Sequence, residues 1–143
     1  MNIRQAVMPD IPYLYEICLK TGAEGKDAAP QFRDPYLLGQ VYAAPYLVYD
    51  PSLCFVVDDE ARPAGYIVAA ADTAAFVRWM ETGWLPPLRR RIPDPLPPAQ
   101  TASGYESRIA ALIHRPFTLP SPDPLQNRMR KANSCCSSPF SPW

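Results

Sequence analysis

Nineteen of the 143 residues are proline, and twelve of those stand at Pro86 or beyond. Proline has no N–H to give a helix or a sheet ladder, and it drives the residue before it out of helical geometry. The two halves of the chain therefore differ in what they can build. Regular structure is expected from Ile3 to about Thr82, and the later half is expected to be repeatedly interrupted. From Leu119 onward apolar residues are few and unperiodic, and Pro120, Pro122, Pro124, Pro139 and Pro142 deny a continuous ladder. Burial at about 25 cal/mol per Å² cannot there offset an ordering cost of roughly 1–2 kcal/mol per residue. Residues 120–143 read as a Pro/Ser-rich disordered tail that packs against nothing.

Within the first half the hydrophobic pattern sets the elements. Ile3 to Val7 reads as a strand, broken by Met8-Pro9-Asp10. Asp10 is placed as an N-cap, with Pro12 in the first turn of a helix. Ile11, Leu14, Tyr15 and Cys18 fall on one helical face, and Gly22 stands where that helix would end. Pro35 opens a second helix with Leu38, Val41 and Tyr42 inward, ended by Pro45. Leu53 to Val57 and Gly65 to Ala71 are continuously apolar, as strands buried on both faces are, and the polar segment between them makes a hairpin. Asp72-Thr73 caps a third helix whose apolar face is Ala75, Phe76, Trp79 and Met80. Pro86-Pro87 closes it, Pro93 to Pro98 forms an extended spacer, and Tyr105 to Ile113 forms a short helix with Ile109, Leu112 and Ile113 inward. The fold class is α/β of the α+β kind: a short, mostly antiparallel sheet of about three strands flanked by helices.

Charge excludes little and favours little. Lys plus Arg equals Asp plus Glu at 14 each. A neutral chain gives no electrostatic ground to expect nucleic acid or an anionic membrane as partner. The runs Arg89-Arg90-Arg91 and Arg128, Arg130, Lys131 read as solvated faces. No secretory leader and no membrane-length apolar run is visible. Cys18 and Cys54 lie in apolar patterns as reduced core residues, and Cys135-Cys136 lie in the tail. With a single histidine, His114, no zinc-ligand spacing exists. A cytoplasmic setting and no metal are the expectations.

Several blocks of residues carry a resemblance. Ile3-Arg-Gln-Ala-Val-Met-Pro-Asp-Ile-Pro-Tyr-Leu, Phe55-Val-Val-Asp-Asp and Pro63-Ala-Gly-Tyr-Ile-Val are similar to the first strand and helix and the hairpin of GNAT-superfamily N-acetyltransferases. Val41-Tyr-Ala-Ala-Pro-Tyr, Ala71-Asp-Thr-Ala-Ala-Phe and Trp84-Leu-Pro-Pro-Leu resemble, more narrowly, the acetyltransferase-like domain found attached to O-GlcNAcases. The likeness spans residues 1–119, which it makes the N-terminal part of such a domain. It implies acetyl transfer from acetyl-CoA, the co-substrate, to an amine acceptor that is a small molecule or a protein. It also implies that a later Gln/Arg-x-x-Gly-x-Gly/Ala turn binds the pyrophosphate through backbone N–H groups. Gln126-Asn-Arg-Met-Arg-Lys-Ala offers Gln126, but Met129 and Lys131 stand where glycines are needed, and prolines replace the strand that should precede it. No cofactor-binding residue is assigned, and binding of acetyl-CoA by this chain is not expected. The tail is read as unrelated sequence joined to a truncated domain, and the alternative to an impaired enzyme is a non-catalytic fragment, pseudoenzyme or interaction module.

The acceptor side is the part the resemblance leaves in place. Asp72, at the end of the third strand, is the candidate polar group at its rim, and its other reading is a plain helix cap. Tyr46 and Tyr66 are candidate lining residues, and aromatic residues beside strands are also ordinary core. Glu24 and Asp27 lie in the loop after the first helix, where this fold admits substrate, and His114 is a candidate base or simply a loop residue. No catalytic residue is assigned, since the family's thiolate-protonating tyrosine comes from the later half. An unpaired apolar edge on the third strand is expected to promote self-association.

Overall fold

Three strands form a single antiparallel sheet, in the order β1-β2-β3, in the computed structural model, which describes residues 1–59, 62–95 and 104–115. β1 is Asn2–Gln5, β2 Cys54–Asp59 and β3 Arg62–Val68. Cross-strand partners share a face. One face carries Val56 beside Tyr66, and Cys54 beside Val68; the other carries the rows Ile3–Val57–Gly65 and Gln5–Phe55–Ile67. Cys54 and Val56 are buried, whereas Ile3 is 70% exposed, Ile67 68% and Phe55 41%. The expectation of strands buried on both faces is thus corrected. The sheet buries one face, and the continuous apolar run hides a period-two pattern because both faces are apolar.

Six helices complete the described fold: α1 (Ile11–Thr21), α2 (Leu37–Tyr42), α3 (Ala44–Tyr49), α4 (Thr73–Trp79), α5 (Leu85–Arg91) and α6 (Tyr105–His114). The core lies between them and the inner sheet face, with Leu14, Leu38, Leu47, Val56, Phe76 and Ile113 among its buried members. Asp10 does not cap α1 by its side chain. The buried carboxylate instead accepts from Val7 N at 2.8 Å and takes both terminal nitrogens of Arg4, at 2.7 and 2.9 Å. Arg4 also reaches Asp58 on β2 at 2.7 Å, so one guanidinium ties strand, turn and hairpin together. Gly22 follows α1 because a Cβ there would stand 2.9 Å from the Cys18 carbonyl oxygen and 2.3 Å from Leu38.

Pro45 does more than end the second helix. The chain kinks at Ala43 (φ −129°, ψ −65°) and Pro45 then sits in the first turn of α3, where its missing N–H costs nothing. Pro86-Pro87 likewise does not close the third helix. α4 widens through a π-helical turn over Met80–Trp84, and the two prolines enter the first turn of α5. A wider turn relieves the clash between a proline ring and the carbonyl one turn back. Thr82 Oγ1 donates to the Arg78 carbonyl at 2.9 Å and occupies one of the carbonyls loosened there. The regular structure therefore runs well past Thr82, contrary to the expectation from proline content.

In α6 the buried positions are Ile109, Ala110 and Ile113, with Leu112 facing outward rather than inward. The helix is pinned by polar bonds at both ends. Glu106 Oε1 accepts from the backbone N–H groups of Arg33 and Asp34 at 3.0 and 2.9 Å. Arg89 Nε donates to the Ile113 carbonyl at 2.6 Å, and His114 Nε2 lies 2.7 Å from the Ile92 carbonyl oxygen. His114 so anchors the segment after α5. No helix among the described residues is long and apolar enough to cross a membrane. Gln126, Met129, Lys131, Cys135, Cys136 and the whole expected tail lie outside the described residues, as does the end of the Pro93–Pro98 spacer.

Candidate functional site

Tyrosines accumulate where α1, the α2–α3 corner and β3 meet. Tyr42, Tyr46 and Tyr49 follow a four-then-three spacing, which on the kinked α2–α3 pair does not keep them on one face. Tyr42 projects outward, 42% exposed, although its helical position had suggested an inward residue. Tyr46 is half-buried and stacks on Phe76 of α4, ring centroids 4.3 Å apart. Tyr49 meets the same Phe76 edge-on at 5.3 Å, and the stack continues through Trp79 to Trp84. Trp84 Nε1 donates to the Gln40 carbonyl at 2.8 Å, which closes the indole's one donor. This aromatic ladder fixes α4 against α3, and through α4 it fixes Asp72.

Asp72 itself is exposed and caps α4, its Oδ1 accepting from Ala75 N at 2.9 Å. The Phe76 that Tyr46 stacks on is also bonded to Asp72, its N–H donating to the Asp72 carbonyl at 3.0 Å. Asp72 and Tyr46 thus share Phe76 as a neighbour, one through its backbone and the other through its ring. Tyr66 belongs to the inner sheet face and is half-buried, its hydroxyl directed to the Cys18 thiol on α1. Burial, reinforced by that thiol, holds the Tyr66 phenol well above its ordinary range. Burial raises Tyr46 as well. It also raises Tyr42, which feels Tyr105, Cys18 and Tyr46 as further neighbours. Cys18 and Cys54 are free, buried and raised by burial, so neither is an activated nucleophile.

The chemistry follows. Phenols raised in this way are neutral at physiological pH, so they donate hydrogen bonds and present aromatic faces but cannot serve as bases. Tyr42 and Tyr105 are additions that the sequence pattern concealed, one by its helical phase and the other by its distance along the chain.

Beside Tyr105 opens a polar groove of about 450 Å³ lined by Gly22, Ala23, Glu24, Gln31 and Arg108. The Tyr105 hydroxyl donates to the Gly22 carbonyl at 3.1 Å, and Arg108 lies over the Tyr105 ring at 5.4 Å. Glu24 occupies the left-handed region, φ 55°, and Gly25 follows at φ 83°. Ala23 and Lys26 exchange two backbone bonds of 3.0 Å across them, which makes the pair the centre of a type I′ turn. Asp27 is used up locally: its Oδ1 accepts from Ala29 N at 2.8 Å. Glu24 thus reaches the groove, while His114 and Asp27 serve local structure.

A pyrophosphate is held best by a cradle of backbone N–H groups. Such a site needs unobstructed N–H groups at a helix start. The first turns of α1 and α6 are headed by Asp10 and Glu106, α4 is capped by Asp72, and α5 opens on two prolines without N–H groups. The Glu106 and Asp72 carboxylates repel phosphate there, whereas the Asp10 charge is offset by Arg4. No group of three or more metal-ligating side chains is assembled among the described residues.

No protein-family model matches the chain. Among solved structures, the crystal structure of SsHAT, an acetyltransferase, matches with a TM-score of 0.72 and 35% sequence identity over 80% of this chain. The fold is that of a GNAT-like acetyltransferase. The chain spans 56% of the length of SsHAT. That likeness gives the tyrosine-lined corner and the groove beside it their setting, since both lie in elements of an acetyltransferase fold.

Proposed function

We propose that this chain is the acceptor-side portion of a GNAT-like N-acetyltransferase whose parent reaction moves an acetyl group from acetyl-CoA to an amine. The observation that carries the reading is the 35% identity to SsHAT together with a TM-score of 0.72. Identity at that level over most of the chain reflects more than a shared layout of helices and strands. Within the reading, Asp72, Tyr46 and Tyr66 line the acceptor side, with Tyr42 as an added member. Neutral tyrosine faces suit an amine, which aromatic rings attract when it is charged. The acceptor is a small-molecule or protein amine in a cytoplasmic setting. The likeness of Val41–Tyr46 and Trp84–Leu88 to the acetyltransferase-like domain of O-GlcNAcases supports the narrower kinship.

The chain on its own is proposed to be impaired, a reading supported by Glu106 in the first turn of α6, the Asp72 cap on α4 and the two prolines that open α5. Isothermal titration of acetyl-CoA into the purified chain tests this directly. We expect no saturable heat in the submillimolar range. Tight, saturable binding would overturn the impaired reading and restore a catalytic one. A second reading, a non-catalytic interaction module, is favoured by one observation: the outward sheet face is apolar and exposed at Ile3, Phe55 and Ile67.

A further inference from the structure

Between the turn before α2, the end of α5 and the first turns of α6 opens a second cavity, of about 520 Å³. It shares no lining residue with the groove beside Tyr105, and Asp72, Tyr46 and Tyr66 are not part of its wall. Part of the wall is apolar: Leu37 and Ala110 are buried and Ile92 is half-buried. Charges of both signs stand in the same wall, the carboxylates of Asp34, Asp94 and Glu106 and the guanidinium of Arg91. Opposite charges that line one cavity ordinarily pair, yet none of these four forms a salt bridge among the described residues. Neutral partners hold three of them in place instead. Glu106 Oε1 accepts from the Arg33 and Asp34 N–H groups at 3.0 and 2.9 Å, and Asp34 Oδ1 accepts from Tyr36 N at 2.9 Å. Arg91 Nη2 donates at 2.8 Å to Oε1 of the buried Gln40. Each bond occupies one terminal atom, so each carboxylate keeps a second oxygen and Arg91 keeps further N–H groups. The Tyr15 phenol, raised chiefly by burial, feels Arg91 and Asp34 in opposite senses, which puts both charges within reach of one ring.

A few fixed polar groups around an apolar wall are the usual form of a small-molecule pocket, and the volume lies within the range of such pockets. The mixture of charges narrows the ligand. A cation alone would be attracted by the carboxylates but repelled by Arg91, and an anion alone would face three like charges. A molecule that carries both charges answers both parts of the wall. We propose that this cavity binds a small zwitterion with an apolar body, of the free apolar α-amino acid class. Its ammonium lies on Asp34 and Glu106, its carboxylate on the Arg91 fork, and its apolar body against Leu37, Ile92 and Ala110. A planar guanidinium suits a carboxylate because it can donate two parallel bonds. The inference makes no use of acetyl transfer, so it stands or falls independently of the acetyl-CoA titration.

The test titrates the full, isotope-labelled chain with three probes that share one ring: L-phenylalanine, phenethylamine and 3-phenylpropionate. Amide shifts followed by NMR report both affinity and place. We expect saturable shifts at Leu37, Ile92 and Ala110 with L-phenylalanine, and binding about threefold to fivefold weaker for each probe with a single charge. Arg91→Gln removes the cation and should bring L-phenylalanine down to the level of phenethylamine, without weakening phenethylamine itself. Glu106→Gln keeps an acceptor for the Arg33 and Asp34 N–H groups, and should bring L-phenylalanine toward the level of 3-phenylpropionate. The circular dichroism of both variants should match the parent chain; if either variant loses helix, the three probes on the parent chain decide alone. No saturable shift at these residues up to about 10 mM L-phenylalanine overturns the proposal. So does a single-charge probe that binds as tightly as the zwitterion, or a folded variant that leaves the preference unchanged. Cross-relaxation from another part of the chain to Leu37 and Ala110 without any probe also overturns it, since the cavity would then already be filled.

Discussion

Gly39 sets two effects of opposite sign against each other, and the structure decides between them. It lies in the middle of α2, where replacing glycine by alanine ordinarily stabilises a helix by about 1 kcal/mol. Here α2 crosses α1 at that point. A Cβ on residue 39 would stand 2.3 Å from Tyr15 Cδ1 and 3.1 Å from Tyr15 Cα. The ring could swing aside only by leaving its edge-on contact with Tyr36, centroids 5.5 Å apart. The approach to the Tyr15 main chain cannot be relieved by rotation, because that atom belongs to the backbone of α1. Helix separation or strain of this kind costs roughly 1–3 kcal/mol. The net expectation for Gly39→Ala is a loss of up to about 2 kcal/mol, which at typical urea sensitivities lowers the unfolding midpoint by up to about 1 M. Gly83 is the internal control. It also lies in a helical segment, but its Cβ would meet only the Trp79 ring, at 3.6 Å or more. Gly83→Ala should therefore be neutral or stabilising in the same urea titration, followed by circular dichroism. If both substitutions shift the midpoint alike, the close-approach reasoning is wrong.

Three further outcomes follow from the site and its supports. The Asp10 carboxyl is held below its ordinary range by the Arg4 guanidinium, with a smaller contribution from Val7 N. Its stabilisation is full above the unfolded carboxyl value and is lost as pH falls through the lowered folded one. Urea midpoints measured from about pH 6 down to 2 should fall less steeply for Asp10→Asn than for the parent chain, and parallel curves would refute the assignment. Glu24→Asn should raise stability by about 0.5–1 kcal/mol, since asparagine tolerates the left-handed geometry that a type I′ turn imposes. Thermal denaturation checks it, and a lowered midpoint would show that the Glu24 side chain contributes more than the strain costs. Asp72→Ala removes the α4 cap and should cost about 1 kcal/mol in urea unfolding. A loss near zero would show that Asp72 is held for something other than helix capping.

Much of the fold was legible because helical periodicity survives in a single sequence. Leu14 and Cys18 turn inward on α1, and Phe76 and Met80 on the α4 segment, as their spacing requires. The misses have physical causes. Proline in a helical pattern signals a stop, yet Pro45 and Pro86 occupy first-turn positions where the absent N–H is harmless. Asp10 matches a cap by position, but a guanidinium six residues back outcompetes the local bond. Sidedness of the strands was hidden because Ile3, Phe55 and Ile67 are as apolar as their buried neighbours. Of the site, Asp72 is legible as a polar residue at an element end, and Tyr46 and Tyr66 as aromatic residues within α3 and β3. Their partners are not, because Phe76 beside Tyr46 and Cys18 beside Tyr66 depend on how α4 and α1 pack.

That packing also explains why a three-stranded sheet can hold its helices at all. The buried cluster joins Ala6, Cys54 and Val56 to residues of every helix from α1 to α6, so the inner layer closes on itself. None of Ile3, Phe55, Val57 or Ile67 belongs to it. The inner and outer faces are therefore separable in energy: a substitution at Ile67 leaves the cluster intact, whereas one at Val56 opens a cavity in it. The outer apolar residues therefore contribute little to the cluster that holds the helices to the sheet. Ile67→Lys should therefore leave the urea midpoint of the chain nearly unchanged, whereas Val56→Ala should lower it by the roughly 1–3 kcal/mol of a truncated core residue, and equal shifts would refute the separation.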